Sequence, residues 1–278
     1  MGKFGRRTLA GMAAVLALTG CDWMAPQPQP TSASPTPIAS ATASTLPSGA
    51  RSVREETDDF LFAYAYPAEA GNIPALAQLL DRRLERLRVQ LVEQAAQGRA
   101  DARGNGFPFN KYSSGVEWKV VADTPQFLSL SAEINSYTGG AHGNYGFDSL
   151  VWDKAGERVL QVPELFTSLA ALEEVIGPRL CELLDAERAR RRASVNDGEE
   201  AAPEPAPDDP FNACVPLSDT TLLLGSGNGR KFDRLGVQIG PYVAGPYAEG
   251  SWEFTLPVDA AVLGTVTAEY KPAFAARN

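Results

Sequence analysis

The chain has 278 residues, of which 44% are hydrophobic and 21% are charged. This content suffices for one large domain or two small packed lobes and excludes a chain that is disordered throughout. Lys and Arg number 25 against 34 Asp and Glu, giving a net charge of −9, so we expect no nucleic-acid partner. One histidine and three cysteines exclude a histidine-rich zinc centre, and we expect neither a metal nor another cofactor.

The N-terminus has the order of a bacterial secretion signal. Basic residues precede an apolar stretch at residues 9–18, which is too short to span a bilayer. The sequence Leu-Thr-Gly-Cys at residues 18–21 resembles a lipobox, which implies cleavage after a signal peptide of residues 1–20 and lipidation of Cys21. The alternative is an ordinary signal peptide that happens to end in Gly-Cys.

Residues 21–52 are predicted to be the lipidated cysteine and a disordered tether. Residues 25–50 contain six prolines and no charge, a composition that cannot bury a core. Loss of residues 1–20 would remove three positive charges and change the net charge from −9 to −12. We expect an acidic periplasmic protein that is lipid-anchored to the inner or outer membrane.

Two cysteines remain after Cys21, and an oxidising periplasm favours a disulfide between Cys181 and Cys214. Such a bond would close a loop of 32 residues. That loop contains the acidic segment 194–210, which has six acids and no bases and is predicted to be solvated.

The first half of the folded part predicts strands around one helix. Phe60, Phe62, Tyr64 and Tyr66 alternate with smaller residues, as on the buried face of a strand. Leucines at three- and four-residue spacing predict a helix from an Asn72 cap to Gly98. Further strands are predicted around Trp118, around Leu130, and on both sides of a turn at residues 153–156.

The second half predicts a helix and three strands. Ser168 is expected to start the helix, which ends in four arginines: Arg188, Arg190, Arg191 and Arg192. These cations either complement the helix dipole, which we favour, or form a basic site. Strands are predicted at residues 221–224, 235–239 and 252–256. The expected fold class is α+β, with largely antiparallel sheets packed on two long helices in two small lobes, residues 53–135 and 136–278.

No pattern in the sequence points to a catalytic residue, and we expect the chain not to be an enzyme. The glycine-rich segment 225–231 lacks the ending of a phosphate-binding loop and precedes a strand, so a hairpin loop is favoured. Glu133 and Asp148 are conceivable as a glycosidase pair, but their spacing does not single them out.

The segment 136–145 is the most informative. Glycines permit backbone conformations closed to other residues, and Tyr, Asn and His offer rigid contact area with polar tips, as in binding loops. For His142 the alternative is a purely structural role in tying down backbone carbonyls. We predict partner-binding residues here at Ser136, Tyr137, Thr138, Gly139, Gly140, His142 and Asn144.

The segments 137–142, 162–166 and 241–250, in this order, resemble the C-terminal domain of RsiV, the lysozyme-binding anti-sigma factor. Deacetylases of the PdaC type carry a similar module. The resemblance covers about residues 55–270 and implies that loops plug a lysozyme active-site cleft. The chain has a lipobox in place of a transmembrane helix and lacks a deacetylase domain, so only the module is carried over. Its second loop adds four predicted contact residues: Pro241, Tyr242, Pro246 and Tyr247.

The expected function is therefore a lipoprotein that binds and inhibits a lysozyme-like, basic peptidoglycan hydrolase, either to protect the cell from a host lysozyme or as immunity against an effector. The alternative is a cell-wall-binding or envelope accessory module that recognises peptidoglycan, with Trp118, Tyr137, Tyr145 and Tyr247 as stacking platforms. For the inhibitor, Tyr247→Ala and a change at residues 136–138 are each expected to weaken binding by about 2 kcal/mol or more. If Tyr242 and Tyr247 instead pack beneath the loop, Tyr247→Ala lowers stability and leaves affinity unchanged.

Overall fold

The computed structural model describes residues 48–195 and 210–277, and the predictions for residues 1–47, Cys21 included, and for most of the acidic segment lie outside this range. In chain order the helices and strands are β1 (Arg51–Glu56), β2 (Phe60–Tyr66), α1 (Ala68–Gly71), α2 (Pro74–Asn105), β3 (Tyr112–Asp123), β4 (Phe127–Tyr137), β5 (Asn144–Asp153), β6 (Arg158–Leu160), α3 (Leu169–Val195), β7 (Thr221–Gly225), β8 (Arg234–Ile239), β9 (Trp252–Pro257) and α4 (Ala260–Thr265).

Two sheets carry the fold. Strands β1 to β6 form a six-stranded sheet in sequence order, and β7 to β9 form a three-stranded sheet. All neighbours are antiparallel except β2 and β3, which run parallel because α1 and α2 provide the crossover between them. The predicted α+β class with largely antiparallel pairing is confirmed.

One face of the six-stranded sheet packs under α2. Phe60, Phe62, Tyr64 and Tyr66 are all buried on this face, as their alternation predicted. The indole N–H of Trp118 donates a 3.0 Å hydrogen bond to the Tyr64 hydroxyl, so the polar tips inside this core are paired. Burial raises the pKa of Tyr64 to about 12. The helix contributes Leu76, Leu80, Leu84, Leu91 and Ala95.

Helix α2 differs from its predicted bounds at both ends. Ile73 is the N-cap, and Asn72 instead caps the end of the short α1. The helix continues past Gly98 to Gly106, whose φ of 72° places it in the left-handed region that ends helices. Position 98, inside the helix, is a glycine because the Tyr112 phenol occupies the space that a Cβ would need.

A second core lies against the opposite face of the six-stranded sheet, towards its β6 edge. Consecutive residues of β5 alternate between the two cores: Leu150 and Trp152 belong to the α2 side, and Val151 to the other. The second core also takes its buried residues from α3, α4 and the three-stranded sheet, including Leu180, Leu235 and Trp252. Both faces of the sheet are therefore buried at this edge.

The predicted division into lobes at residues 135 and 136 cuts through β4. Residues 48–195 and 210–277 belong to one compact unit, and the two cores lie on two faces of a shared sheet instead of in successive segments. Strand β1 begins at Arg51, inside the range 21–52 that was predicted to be a tether.

Helix α3 is fixed at its start and near its middle. The Ser168 hydroxyl accepts a 3.0 Å bond from the Ala171 N–H, as expected of a helix cap. Cys181 of α3 and Cys214 form the predicted disulfide, with their Cα atoms 5.1 Å apart. Among the described residues, no helix is both long enough and apolar enough to cross a membrane.

Candidate functional site

The fold brings together the two loops that the sequence singled out. Loop A (residues 138–143) joins β4 to β5, and loop B (residues 240–251) joins β8 to β9. Their side chains meet in a group of rings that we call the tyrosine–histidine cluster: His142, Tyr145, Tyr242 and Tyr247. Residues about a hundred positions apart in the chain thus form one surface.

His142 is held from three sides. Its ring stacks on that of Tyr247, with centroids 3.9 Å apart and planes inclined by 19°. Its Nδ1 lies 2.8 Å from the Gly143 carbonyl oxygen, and its Nε2 lies 3.2 Å from the Tyr242 hydroxyl. Because a carbonyl only accepts, a neutral ring carries its hydrogen on Nδ1, and Nε2 accepts the phenol hydrogen. Both ring nitrogens are therefore used within the protein.

Tyr247 is the link between the loops. Its hydroxyl donates a 2.8 Å hydrogen bond to the Gly143 carbonyl, and its ring meets that of Tyr145 edge-on at 6.1 Å. The side chain is half-buried. This geometry matches the hypothesis that Tyr247 packs beneath the loop, where it positions its neighbours.

Tyr242, unlike Tyr247, is exposed to solvent. It is 53% exposed, and its φ of 67° lies in the left-handed region that non-glycine residues rarely occupy. Strain of this kind persists only where the surroundings enforce it, and it concentrates at binding sites. An exposed aromatic ring on a constrained backbone makes Tyr242 the best contact residue of the cluster.

Loop A is shaped by its own sequence. The Tyr137 hydroxyl donates a 3.0 Å hydrogen bond to the Gly140 carbonyl, and this bond closes the loop. Gly139 and Gly140 have φ values of 91° and 96°, which explains why both positions are glycine. Ser136 pairs with Asn144 across β4 and β5, and both are exposed, as is Thr138. All the predicted residues of this segment thus surround one turn.

The prolines of loop B differ. Pro241 is buried and is not available to a partner, whereas Pro246 is exposed. Between them Gly245 is buried, and a Cβ there would lie 2.6 Å from a carboxylate oxygen of Glu249 and 3.2 Å from the Trp252 ring. The middle of loop B is therefore packed against residues at the end of the same loop and at the start of β9.

The arginines at the end of α3 hold loop B from below. Arg188, only 3% exposed, donates from Nε to the Ala244 carbonyl at 3.1 Å. Arg191 donates to the carbonyls of Glu249 and Ser251 at 2.6 and 3.0 Å, and its guanidinium lies 3.7 Å from the centre of the Trp252 ring. Neither a dipole effect nor an open basic site describes these two residues. No local pattern in the sequence signals them as supports of a loop some sixty residues away.

Beside the cluster lies an open sheet face, defined by a row of cross-strand neighbours: Arg54, Ala63, Gly115, Asn135 and Tyr145. It borders a cavity of about 440 Å³. The Asn135 amide lies over Gly115, with its oxygen 2.6 Å from the position a Cβ would take. No sequence pattern predicts this surface, because small residues carry no periodic signal.

Three earlier candidates are placed elsewhere. Trp118 is 4% exposed in the core beneath α2, so it is not a stacking platform. Glu133 and Asp148 point to opposite faces of the sheet, because Glu133 pairs with Phe147 and Asp148 with Ala132. They therefore do not form an acid pair. Within residues 48–195 and 210–277, no three His, Cys, Asp or Glu side chains are grouped as a metal site would need.

Comparison with known proteins bears on this part of the chain. Residues 53–145 match the family model described as Deacetylase PdaC, a range that includes loop A and stops short of loop B. No curated protein matches the chain. Among solved structures, a DUF3298 family protein from Pseudomonas aeruginosa is 17% identical with a TM-score of 0.51, over 84% of this chain and 98% of that one.

A DUF3298 family member from Bacteroides fragilis is also 17% identical, with a TM-score of 0.47, over 80% of this chain and 93% of that one. At such identities a structural likeness reports on fold alone. The chain thus shares the fold of the Pseudomonas DUF3298 protein, and its residues 53–145 resemble the PdaC family.

Proposed function

We propose that this chain is a periplasmic lipoprotein that binds and inhibits a lysozyme-like peptidoglycan hydrolase, with the tyrosine–histidine cluster entering the enzyme's cleft. The observation that carries the proposal is the locking of loops A and B into one aromatic surface from which Tyr242 projects. The resemblance of segments 137–142 and 241–250 to the RsiV module supplies the class of partner.

The cluster suits a binding surface because its two loops are already ordered before a partner binds. Tyr247, His142 and the Gly143 carbonyl fix the two loops to each other before any partner arrives. Association costs less when side chains and loops are already immobilised. Tyrosine adds a large contact area at a low cost in conformational entropy.

The cluster favours binding over catalysis. The contacts of His142 are two tyrosines and one carbonyl, which do not form a nucleophile and base pair. We therefore propose that the chain is not an enzyme, although the family matched by residues 53–145 is described as a deacetylase.

Charge supports a basic partner. Without residues 1–20 the net charge changes from −9 to −12, since three positive charges are lost. Enzymes that act on an anionic cell wall are commonly basic, and opposite charges steer association. Association should therefore slow as salt is added.

The test is direct. The secreted chain is mixed at micromolar concentration and low salt with several muramidases, and hydrolysis of cell walls is followed. Inhibition of at least one enzyme is expected. Failure to bind or inhibit any of them would count against the proposal.

Lipidation at Cys21 is tested separately. We expect labelled fatty acid to be incorporated into the wild type, and Cys21→Ser to release the chain from the membrane fraction. Unlabelled wild-type chain in the soluble fraction would contradict the anchor, and with it this part of the proposal.

A second candidate function rests on the open sheet face. Asn135 lines its cavity of about 440 Å³, and Tyr145 is the cross-strand neighbour of Asn135 in the same row. An amide and an aromatic ring on one face suit a glycan strand. Retention of the chain on purified sacculi without any hydrolase would favour this function. The inhibitor proposal predicts no such retention.

A further inference from the structure

Arg188 is unusual among the described side chains because it is the only charged one that is almost fully buried, at 3% exposure. A buried guanidinium is stable only if its N–H groups are bonded. Its donors reach four acceptors: the carbonyls of Ala244 (3.1 Å), Ala213 (3.0 Å) and Asn212 (3.4 Å), and the Asp185 carboxylate (3.0 Å). One side chain therefore joins three parts of the chain.

Two of those acceptors lie next to the disulfide. Asn212 and Ala213 directly precede Cys214, which is bonded to Cys181 of α3. Cys214 is exposed and Cys181 partly so, and the residues around Cys214 are largely at the surface. The covalent bond thus holds the Asn212 and Ala213 carbonyls against the helix that carries Arg188.

The third carbonyl belongs to loop B. Ala244 is fully buried and lies between Tyr242 and Tyr247 in the chain. The Nε bond to its carbonyl fixes the middle of the loop, while Arg191 fixes its far end at Glu249 and Ser251. The position of Arg188 thereby sets where the two tyrosines stand relative to His142.

We propose that Arg188 is a positioning residue of the tyrosine–histidine cluster and that it makes the cluster dependent on the Cys181–Cys214 disulfide. Reduction by a dithiol transfers two electrons and two protons: the S–S bond breaks, each cysteine becomes a thiol, and the reductant becomes a cyclic disulfide. After reduction, only non-covalent contacts hold residues 210–215 against α3.

The consequence follows from hydrogen bonding. When the Asn212 and Ala213 carbonyls move away, the buried guanidinium keeps only two of its four acceptors. Unpaired buried donors are costly, so the side chain turns towards water and releases the Ala244 carbonyl. Loop B loosens, and the stack of Tyr247 on His142 is lost. The site is assembled in an oxidising compartment and dismantled under reduction.

The experiment uses the single histidine of the chain as its probe. In the full-length chain with labelled histidine, the ring resonances of His142 report its stack on Tyr247. We expect displaced resonances in the oxidised protein. Dithiothreitol, or the variant Cys181→Ser with Cys214→Ser, should move them to the positions of free histidine while the methyl spectrum of the cores remains dispersed.

Two substitutions separate the steps. Arg188→Lys keeps the charge but loses the fork of donors, and in the oxidised chain it should produce the same loss of displacement. Reduction of Arg188→Lys should cause no further change in the His142 resonances. Arg190→Lys is the matched control, because Arg190 is 67% exposed and its side chain pairs with Glu187, so its His142 resonances should be those of the wild type.

The proposal is overturned if His142 resonances are unchanged on reduction, or unchanged in Arg188→Lys. It is also overturned if reduction unfolds the whole chain, because the coupling requires local release. The proposal rests on the proposed function only in treating the cluster as the binding surface. Since no partner is present in the experiment, failure to find a hydrolase would leave its outcome unaffected.

Discussion

The two faces of the six-stranded sheet differ in how much of their surface is covered. The α2 face is covered along β2 and β3 by a single long helix, and large side chains of the sheet and of the helix, such as Phe62 and Leu80, are fully buried. The other face is buried only towards β6 and carries Ala63, Gly115 and Asn135 where it is open. The buried parts of both faces therefore supply stability, while the open part and the adjoining loops leave surface that a partner can reach.

The difference also separates positioning from contact at the site. Tyr247 and Arg188 direct their polar atoms inward to backbone carbonyls. Tyr242, in contrast, is 53% exposed. Substitutions on the covered face, at the supports of the loops and at the exposed tip should therefore differ in their balance of stability and affinity.

The largest effect is expected on the covered face. Phe62→Ala should lower the free energy of unfolding by about 3 to 5 kcal/mol, because a fully buried aromatic ring leaves a cavity. Denaturant unfolding measures this. Leu61→Ala, one residue away on the other face and only partly buried, is the control and should cost less. Equal losses would remove the distinction between the faces.

Removal of the disulfide is expected to come next. The bond closes a loop with a sequence separation of 33, for which chain entropy gives about 3 to 4 kcal/mol. The variant Cys181→Ser with Cys214→Ser should lose this much stability in denaturant unfolding. Thiol alkylation of native protein from the periplasm provides the check, because labelling of both cysteines would show that the bond does not form there.

Tyr247→Ala should lower stability by about 2 kcal/mol, since it removes one hydrogen bond and the ring contacts with His142 and Tyr145. Tyr247→Phe keeps the rings and loses only the bond to the Gly143 carbonyl, so it should cost about half as much. Thermal unfolding compares the two. An unchanged melting temperature in both would mean that Tyr247 does not support the loops.

The smallest expected effect is the contribution of Glu187 to the pH dependence of stability. Hydrogen bonds from Arg190 and Arg191 lower the pKa of Glu187 from 4.5 to about 2. The ionised form is therefore stabilised in the folded state, fully so above pH 4.5, and this contribution is lost as the pH falls through about 2. Glu187→Gln should reduce stability by less than about 1 kcal/mol near neutral pH, because its partner Arg190 is 67% exposed and solvent screens the ion pair. Unfolding curves that differ equally at pH 7 and pH 2 would contradict this.

How much the sequence predicts depends on whether the signal is local. The alternation of Phe60 to Tyr66 placed both a strand and its buried face, and Ser168 marked the start of α3. Strand β1 was missed because its exposed, charged residues lack a hydrophobic alternation, as is common for edge strands. The predicted lobe boundary at residues 135 and 136 lies within β4, and no local pattern signals that this strand contributes to both cores.

The site divides in the same way. Gly, Tyr and Pro marked loops A and B separately, because these residue types restrict the backbone or offer contact area. Their junction depends on contacts such as Tyr247 with Gly143 and Arg188 with Ala244, which span 104 and 56 residues. No pattern within either segment encodes such partners, so the split between contact and positioning residues required the structure.

The central claim is that the chain inhibits a muramidase through the tyrosine–histidine cluster, and the inhibition constants of matched variants test it most directly. The wild type should inhibit at least one enzyme of a muramidase panel. Tyr242→Ala should do so about 30-fold less well, which corresponds to about 2 kcal/mol. Val89→Ala, an exposed apolar control on α2, should match the wild type. No inhibition by the wild type, or equal inhibition by Tyr242→Ala and Val89→Ala, would contradict the account.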